Sequence, residues 1–387
     1  MSLCKVFLFS DTWEQINGIS SLYRGMFRYL ATRRQVCEEV RLTWIFPSPS
    51  PSVKVAGPVT LVGLRPILYG PVPRCPELKT GIINLSDIAS IEHHFGCPDV
   101  VHVATQGPFG LAGRRFAAKH GIRSSGFCHT NWPAYSETYL SRFVWNTNVG
   151  KRVCASFGSQ LAKRFFAHCE IVFCHTSASA AQLSREETGQ EVILVSEFLD
   201  TARFPICASG KPLKTDRSSL VLVYVGRLAL EKSLDSLLQY SRYRGITVHV
   251  VGDGPLRPKL ITEYPNAIYH GYLQGAALRE VIEASDYLVL PSTTETLGLV
   301  VLEAAACGVP AILLRGEVPS EIVEHYSAGV LVDGFGSPEW IETAKAVRAS
   351  QRYDALLKGC RAMAQSQSVE FGAKRMLDAW RHLVCAS

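Results

Sequence analysis

Short apolar runs separated by helical patterns recur along the whole chain. Two of them, residues 3–9 and 220–225, are β-rich, end in a polar or glycine turn and lead into a helical pattern. Continuous apolar runs are typical of strands that are buried on both faces of a parallel sheet. The alternation of strand and helix predicts doubly wound α/β domains. Six further runs of this kind are residues 100–103, 171–174, 192–195, 248–251, 287–290 and 311–314.

The chain is long enough for two such domains. A length of 387 residues exceeds one ordinary domain. Residues 201–219 hold two prolines, a glycine and several charges without clear periodicity, so we place the boundary there. Residues 47–52 alternate proline and serine and are expected to form a surface loop inside the first domain. Paired α/β domains imply a cleft between them, with ligands beyond the carboxyl ends of the strands.

Composition excludes several classes of protein. Hydrophobic residues make up 47% and charged residues 19%, which rules out a disordered or fibrous chain. The net charge of +6 is too diffuse to indicate nucleic-acid binding. The twelve cysteines are scattered without a C-x-x-C pair, so we expect small buried hydrophobes that stay reduced, with Cys4, Cys128, Cys174 and Cys307 in apolar runs.

The chain also lacks the patterns that direct a protein across or into a membrane. No stretch approaches the roughly 18 apolar residues of a spanning helix, and residues 6–9 are too short for the apolar region of a signal peptide. We expect a cytoplasmic protein, with the inner face of the membrane as an alternative location.

The loop after residues 220–225 carries a first candidate site. Arg227 and Lys232 follow the strand end, where both can point at a bound ligand. A diphosphate is well matched by one bidentate guanidinium and one compact ammonium. The alternative is a solvated loop with ordinary surface charges.

A second candidate lies in residues 291–303, directly after another apolar run. Glu295 sits in the turn, Gly298 permits close approach of a ligand, and Glu303 falls inside the helix that follows. The start of a helix suits an anion such as a phosphate, and carboxylates suit vicinal hydroxyls. The alternative has Glu295 as a helix cap and Glu303 in solvent. We favour a ligand, because Glu303 would otherwise place a charge on an apolar face.

This half resembles the C-terminal domain of the retaining GT-B glycosyltransferases of family four. The matching elements are Gly226-Arg-Leu228 with Glu231-Lys232, residues 251–255 (VGDGP), residues 270–272 (HGY), and the two glutamates with seven residues between them. The ordered series is specific, although each piece alone is weak. Ser233 departs from the glycine frequent in the family, and we expect little effect.

The resemblance implies a fold and a role for each matching residue. It implies two doubly wound Rossmann-like domains facing a central cleft: residues 1–203 with 370–387 on the acceptor side, and residues 204–369 binding the donor. The helical pattern of residues 373–384 would return to the first domain. Arg227 and Lys232 would hold the donor diphosphate, assisted by backbone near Gly298, Leu299 and Val300. Glu303 would bind the ribose, Glu295 the transferred sugar, and the segment near Leu273 the base.

The first half matches the same family in residues 17–18, 98–103, 107–110 and 128–135, with Tyr139 beyond the last of these. The Asn17-Gly18 turn is by itself a plain surface turn, but the family's asparagine-glycine loop touches the donor phosphates. His129 would lie near the transferred sugar and help to orient it. The acceptor would contact Asn131, Trp132, Tyr135 and Tyr139. This loop is most like those of GDP-mannose-dependent mannosyltransferases and sulfoquinovosyltransferases.

Residues 101–164 hold nine basic residues and one acidic residue, Glu137. Basic residues interleaved with aromatics can seat a domain on an anionic bilayer. The alternative is a pair of amphipathic helices with buried aromatics and solvated charges. The positions concerned are Arg114, Arg115, Lys119, Arg123, Arg142, Phe143, Trp145, Lys151, Arg152, Phe157, Leu161, Lys163, Arg164, Phe165 and Phe166.

The resemblance implies transfer of a hexose from a nucleotide-diphosphate sugar to a hydroxyl of a lipid or glycan, with retention at the anomeric carbon. No metal or other cofactor is expected, and no cluster has a convincing metal-ligand spacing. Two alternatives stay open: a nucleotide-sugar epimerase or hydrolase on this fold, and a non-catalytic module that binds sugar nucleotides or glycolipids. An NAD-dependent dehydrogenase is excluded because G-x-G-x-x-G is absent.

Overall fold

The computed structural model describes most of the chain as two compact units. Of the described residues, those before Glu137, those within Thr147–Phe198 and those from Val369 onward form the first unit, and those within Leu199–Ser368 form the second. The described residues are 3–13, 18–32, 39–72, 75–129, 136–137, 147–175, 180–181, 183, 190–195, 199–207, 219–293 and 298–385.

The first unit is built on an eight-stranded sheet. Its strands are β1 (Cys4–Phe9), β2 (Val40–Pro47), β3 (Ser52–Ala56), β4 (Val59–Leu64), β7 (Val100–Val103), β8 (Arg123–Cys128), β9 (Ile171–Cys174) and β10 (Glu191–Leu194), and a separate hairpin holds β5 (Gly70–Val72) and β6 (Cys75–Thr80). The sheet has the order β10-β9-β8-β7-β1-β2-β4-β3. Neighbouring strands are parallel except β3, which runs antiparallel to β4 at the edge.

Helices cover this sheet, as parallel strands require. They are α1 (Gly18–Ala31), α2 (Leu85–Phe95), α3 (Pro108–His120), α4 (Asn148–Phe166) and α12 (Val369–Cys385). The last helix belongs to this unit because Trp380 is fully buried and its indole N–H donates to the hydroxyl of Ser125, 3.0 Å away. Pro47 and Ser52 belong to strands, so the predicted surface loop is limited to the residues between them.

The second unit carries a six-stranded sheet that is parallel throughout. Its strands are β11 (Leu220–Val225), β12 (Ile246–Val251), β13 (Ile268–Gly271), β14 (Tyr287–Leu290), β15 (Ala311–Leu314) and β16 (Gly329–Val332). Its helices are α5 (Asp235–Leu238), α6 (Arg257–Glu263), α7 (Gly275–Glu283), α8 (Leu299–Ala306), α9 (Val318–Tyr326), α10 (Glu339–Arg348) and α11 (Gln351–Ser366). The predicted fold class, two Rossmann-like α/β domains, is confirmed.

The second unit begins earlier than the predicted residue 204. Leu199 is fully buried in the core of this unit, and its amide donates to the carbonyl of Gln367. Leu199 also pairs with Ser368 in a parallel bridge. Residues 199–203 therefore belong to the second unit, since their backbone pairing lies there.

Most of the described cysteines are buried, as expected, whereas Cys97 and Cys385 are exposed. Cys4, Cys128, Cys174 and Cys307, which lie in the apolar runs named above, are all buried. Within the described ranges, no helix combines the length and apolar character needed to cross a bilayer.

Candidate functional site

The strand order of the second unit defines where a ligand site is expected. The sheet runs β13-β12-β11-β14-β15-β16, so the chain moves outward in one direction from β11 and in the other from β14. Open parallel sheets bind ligands beyond the carboxyl ends of the strands at such a reversal point. The predicted groups follow these two strands, in residues 226–232 and 298–303.

Backbone hydrogen bonds tie the loops after β11 and β12 together. The amide of Leu228 donates to the carbonyl of Asp253 at 2.9 Å, and the amide of Leu256 donates to the carbonyl of Leu228 at 3.0 Å. Gly252 has φ +134°, and a Cβ there would lie 1.9 Å from the carbonyl oxygen of Gly226. Only glycine allows this approach, which explains the glycines of the VGDGP segment.

The guanidinium of Arg227 is held by a buried carboxylate. Its Nη1 lies 3.2 Å from Oε1 of Glu231, whose side chain is 2% exposed against 21% for Arg227. The Tyr224 hydroxyl donates to the carbonyl of Arg227 at 2.9 Å, which fixes the backbone as well. Arg227 therefore stands in a defined position at the strand end while part of its side chain reaches solvent.

Glu231 is a residue to which the sequence analysis gave no role. It is buried, and its carbonyl accepts a hydrogen bond from the hydroxyl of Ser292, which follows β14. Glu231 thus links the Arg227 loop to the segment on the other side of the reversal point. The only signal for it was its spacing of four residues from Arg227.

Lys232 ends a short 3-10 helix, Leu230–Lys232, and is partly buried. Ser233 follows it with φ +50°, in the left-handed region that glycine occupies without steric cost. The expectation that serine here has little effect is therefore revised, because a side chain in this conformation costs about 1 kcal/mol.

Replacement of Ser233 by glycine is expected to raise the free energy of unfolding of the second unit by about 1 kcal/mol. Chemical denaturation measures this change. Ser236→Gly is the matched control, because Ser236 lies in helix α5, where glycine is unfavourable. A lower stability for Ser233→Gly than for the parent would contradict the strain argument.

Helix α8 begins beside the same sheet edge. Gly298 caps it with φ +62°, and a Cβ there would lie 3.1 Å from Cβ of Pro319. Leu299 and Val300 form the first turn, where amide groups of a helix lack partners within the helix. Leu273, in the turn after β13, packs against the core of the unit. Glu295 lies outside the described residues.

Glu303 lies on α8 between the buried residues Leu302 and Ala304. Burial raises the pKa of its carboxyl group from 4.5 to about 7, an effect that Arg203 opposes and Asp200 reinforces. A carboxylate held partly away from water in this way gains from hydroxyl donors brought by a ligand.

The first unit has its own reversal point, between β1 and β7. Asp11 follows β1, and its carboxylate accepts hydrogen bonds from the hydroxyl of Thr105 at 2.6 Å and the amide of Phe109 at 2.9 Å. Asp11 therefore caps the start of α3 and ties the end of β1 to residues 105–109. Gly18 stands at the start of α1, and Asn17 lies outside the described residues.

His129 follows β8 and is buried, 4% exposed. Its Nδ1 lies 3.2 Å from Nε2 of His175, and its Nε2 lies 3.2 Å from the hydroxyl of Tyr23. Burial is the main cause that lowers its pKa well below 6.5, with His175 and His102 adding to it. The predicted acceptor residues Asn131, Trp132, Tyr135 and Tyr139 all lie outside the described residues.

Two family models match the chain in succession. Residues 17–203 match "Glycosyltransferase Family 4", and residues 210–349 match "Glycosyl transferases group 1". A GDP-mannose-dependent alpha-mannosyltransferase of Mycolicibacterium smegmatis is 30% identical over 247 residues, which cover 62% of each chain. Sulfoquinovosyl transferase SQD2 of Arabidopsis thaliana is 26% identical over 348 residues, covering 82% of this chain and 61% of the relative. The chain thus spans about three fifths of these relatives' length.

A solved structure shares the fold. The sucrose-phosphate synthase of Thermosynechococcus elongatus superposes with a TM-score of 0.76 at 18% identity, over 99% of this chain and all of the other. At that identity the likeness supports the architecture alone. The two family models, the relatives and the two Rossmann-like units agree, and the chain belongs to the GT-B glycosyltransferases.

Proposed function

We propose that this protein transfers a hexose from a nucleotide-diphosphate sugar to a hydroxyl group of a lipid or glycan. The observation that carries the proposal is the grouping of Arg227, Lys232, Gly298 and Glu303 after β11 and β14. A reversal point in an open parallel sheet is the usual place for a nucleotide. The matched relatives named above are themselves glycosyl transferases by name.

Arg227 and Lys232 provide the charge that a departing nucleoside diphosphate needs. The leaving group gains negative charge as the glycosidic bond breaks, and preorganised cations stabilise that charge most when they need not rearrange. The ion pair with Glu231 keeps the Arg227 guanidinium in place before the donor binds. The amides at the start of α8 add a partial positive charge.

Glu303 is proposed to accept hydrogen bonds from the two ribose hydroxyls of the donor. Its raised pKa reflects burial without enough compensation in the free protein. Two hydroxyl donors would stabilise the ionised form and return the pKa towards the ordinary value. Glu295 is proposed to bind the hydroxyls of the transferred sugar.

The substitution Glu303→Gln is expected to raise the stability of the protein at pH 8 while it weakens sugar-nucleotide binding. At pH 8 the folded state holds an ionised carboxylate whose pKa is about 7, whereas the unfolded chain has 4.5. Stability is therefore lost as the pH rises through 7, and glutamine should restore up to about 3 kcal/mol at pH 8. The same change should weaken sugar-nucleotide binding about tenfold or more, since a charged acceptor is lost.

Denaturation at pH 8 and pH 5 and calorimetric titration with GDP-mannose, UDP-glucose and ADP-glucose measure the two effects. Glu280→Gln is the control, an exposed glutamate on α7 of the same unit. Equal stability changes for both variants at pH 8 would show that burial does not strain Glu303.

We further propose that the reaction needs no metal and retains the anomeric configuration. Arg227, Lys232 and the α8 amides take the place of a cation at the diphosphate. In a front-face route the leaving phosphate oxygen takes the proton of the acceptor hydroxyl while the new glycosidic bond forms on the same face. Activity that survives EDTA and a product with the donor's anomeric configuration are expected, both readable by NMR.

The acceptor is proposed to be reached at an anionic membrane. Helix α4 carries Val149, Val153, Phe157 and Leu161 at intervals of four residues, all exposed, and Phe157 is 53% exposed. Its only charged residues are basic: Lys151, Arg152, Lys163 and Arg164. An apolar stripe bordered by cations matches an anionic lipid surface.

The earlier alternative of buried aromatics holds for only part of the segment. Phe166 is fully buried, whereas Phe157 is exposed. Arg114 is directed at α4 itself, since its guanidinium donates to the carbonyls of Arg164 and Phe165 at 3.1 Å. Arg114 therefore caps the end of α4 and does not belong to the lipid-facing set. Phe143 and Trp145 lie outside the described residues.

The double substitution Phe157→Ser and Leu161→Ser should reduce binding to vesicles at least tenfold, because two apolar contacts are lost. Co-sedimentation with phosphatidylglycerol–phosphatidylcholine vesicles measures it, and binding should fall as salt rises. Phe371→Ser is the matched control, a phenylalanine 67% exposed on α12. Binding that is insensitive to salt, or equally affected by the control, would contradict an α4 contact.

Transfer itself is tested with the same three sugar nucleotides. A thermal-shift screen identifies the donor, because tight binding raises the melting temperature. Donor consumption is then followed with and without diacylglycerol vesicles or a mannose oligosaccharide. A transferase consumes the donor faster with an acceptor. Equal consumption without one would indicate an epimerase or hydrolase, and binding without turnover would indicate a recognition module.

A further inference from the structure

An unbroken chain of hydrogen bonds crosses the interior of the first unit. It joins the carbonyl group of Val195 to the indole of Trp380 through three histidines, a tyrosine and a serine. The successive heavy-atom distances are Val195 O to His175 Nδ1 3.3 Å, His175 Nε2 to His129 Nδ1 3.2 Å, His129 Nε2 to the Tyr23 hydroxyl 3.2 Å, that hydroxyl to His102 Nε2 3.1 Å, His102 Nδ1 to the Ser125 hydroxyl 2.9 Å, and that hydroxyl to Trp380 Nε1 3.0 Å.

The carbonyl group of Val195 determines which atom donates and which accepts in each hydrogen bond of the chain. A carbonyl oxygen can only accept, so His175 must donate from Nδ1 to Val195. Neutral His175 then has a lone pair on Nε2, which requires His129 to donate from Nδ1. Neutral His129 in turn accepts at Nε2 from the hydroxyl of Tyr23, and the oxygen of Tyr23 accepts from Nε2–H of His102.

The other end agrees with this direction. His102 is left with a lone pair on Nδ1, which accepts from the hydroxyl of Ser125. The oxygen of Ser125 then accepts from the indole of Trp380, which can only donate. The direction inferred from the Val195 carbonyl group could have been incompatible with Trp380, since the carbonyl only accepts and the indole only donates. Their agreement allows each group in the chain to be satisfied with all three imidazoles neutral.

We propose that His175 is a positioning residue that holds His129 as the neutral tautomer protonated on Nδ1, with Tyr23 fixing the opposite nitrogen. The consequence for catalysis rests on the proposed function, in which His129 lies at the transferred sugar. The assignment of the tautomer does not depend on that function.

Three observations favour the neutral form of the histidines and the tyrosine in this hydrogen-bond chain. His102 and His129 are buried, and Tyr23 is fully buried. Burial lowers the pKa of His102 and of His175 to about 3 and raises that of Tyr23 well above 10. The ring of His129 also stacks on Phe127, with centroids 4.0 Å apart.

His129 is therefore an oriented neutral group and not a general base. Its one lone pair accepts from Tyr23, so a proton taken from an acceptor hydroxyl would have to displace that hydrogen bond. The base that takes the proton of the acceptor hydroxyl must then be another group. This agrees with the proposal that a phosphate oxygen of the donor takes it.

Imidazole nitrogen resonances of the ¹⁵N-labelled, ligand-free protein test the assignment directly. The expected result is protonation on Nδ1 for His129 and His175 and on Nε2 for His102, unchanged from pH 8 to pH 6. His129 protonated on Nε2, or averaging between the two tautomers, would overturn the proposal.

A matched pair of variants tests the role of His175. His175→Gln keeps an acceptor for Nδ1–H of His129 and a donor for Val195, whereas His175→Leu of similar size removes both. We expect the leucine variant to show exchanging His129 tautomers and a kcat reduced about tenfold to a hundredfold, with the donor KM unchanged. The glutamine variant should keep the single tautomer and recover most of kcat. Identical His129 signals in the two variants would overturn the positioning role, even if no transfer activity were found in any form of the protein.

Discussion

Replacement of Arg227 by alanine is expected to lower kcat/KM about 100- to 1,000-fold. The guanidinium is paired with Glu231 at the sheet edge, and the hydroxyl of Tyr224 donates to the carbonyl of Arg227. Removing one preorganised donor to developing charge costs this much in other enzymes. Alanine also leaves the carboxylate of Glu231 buried without its 3.2 Å partner, which adds repulsion towards a diphosphate.

Arg279→Ala is a close control for that experiment. Arg279 lies in the same unit, pairs with Glu283 four residues later at 2.6 Å and is 24% exposed. Its removal should change stability by less than about 1 kcal/mol and leave turnover unaffected. Steady-state kinetics with the donor found by thermal shift gives the comparison. Turnover of Arg227→Ala within tenfold of the parent would refute the assigned role.

The first unit is expected to lose stability steeply in mild acid. The pKa values of His102, His129 and half-buried His175 lie below 6.5 in the folded state because their rings are shielded from water. Below pH 6.5 the unfolded chain therefore binds protons that the folded unit does not, and the free energy of unfolding falls as the pH falls. Each histidine contributes about 1.4 kcal/mol per pH unit, so the three together contribute about 4 kcal/mol per unit well below pH 6.5.

Thermal unfolding between pH 7.5 and pH 5 measures this loss. Substitution His175→Gln removes one titrating ring and should reduce the slope by about a third, whereas His94→Gln on the surface of α2 should leave it unchanged. Glu303 acts in the opposite direction in the second unit, since its raised pKa favours the folded state at low pH. A pH-independent transition of the first unit would contradict the neutral histidine chain.

Much of the fold could be predicted because strands that are buried on both faces of a parallel sheet appear in the sequence as continuous apolar runs. The runs 100–103, 171–174, 287–290 and 311–314 are strands with those bounds. Only the end of strand β8 could be recognised, where Cys128 lies in an apolar run, because Arg123–Cys128 also contains two serines and a glycine. The antiparallel strand β3 was missed because its residues are largely exposed at an edge, where packing does not impose a hydrophobic pattern.

The candidate site also contains residues that could be predicted from the sequence and residues that could not. Arg227 and Glu303, which are proposed to bind the donor, lie in short motifs and could be chosen from spacing and resemblance. Glu231 and His175 could not, because their roles depend on partners that only the folded chain brings together. His102 did offer a signal, since a histidine inside a strand buried on both faces needs hydrogen-bond partners.

The return of the last helix to the first unit sets an order for biosynthesis. Residues 199–368 are contiguous and can complete their sheet as they leave the ribosome. The first unit emerges earlier, but its interior lacks Trp380 until α12 has been translated. The first unit therefore cannot complete its core until α12 has been synthesised, almost two hundred residues after the rest of the unit. Nascent chains arrested before α12 should expose that incomplete core and bind chaperones.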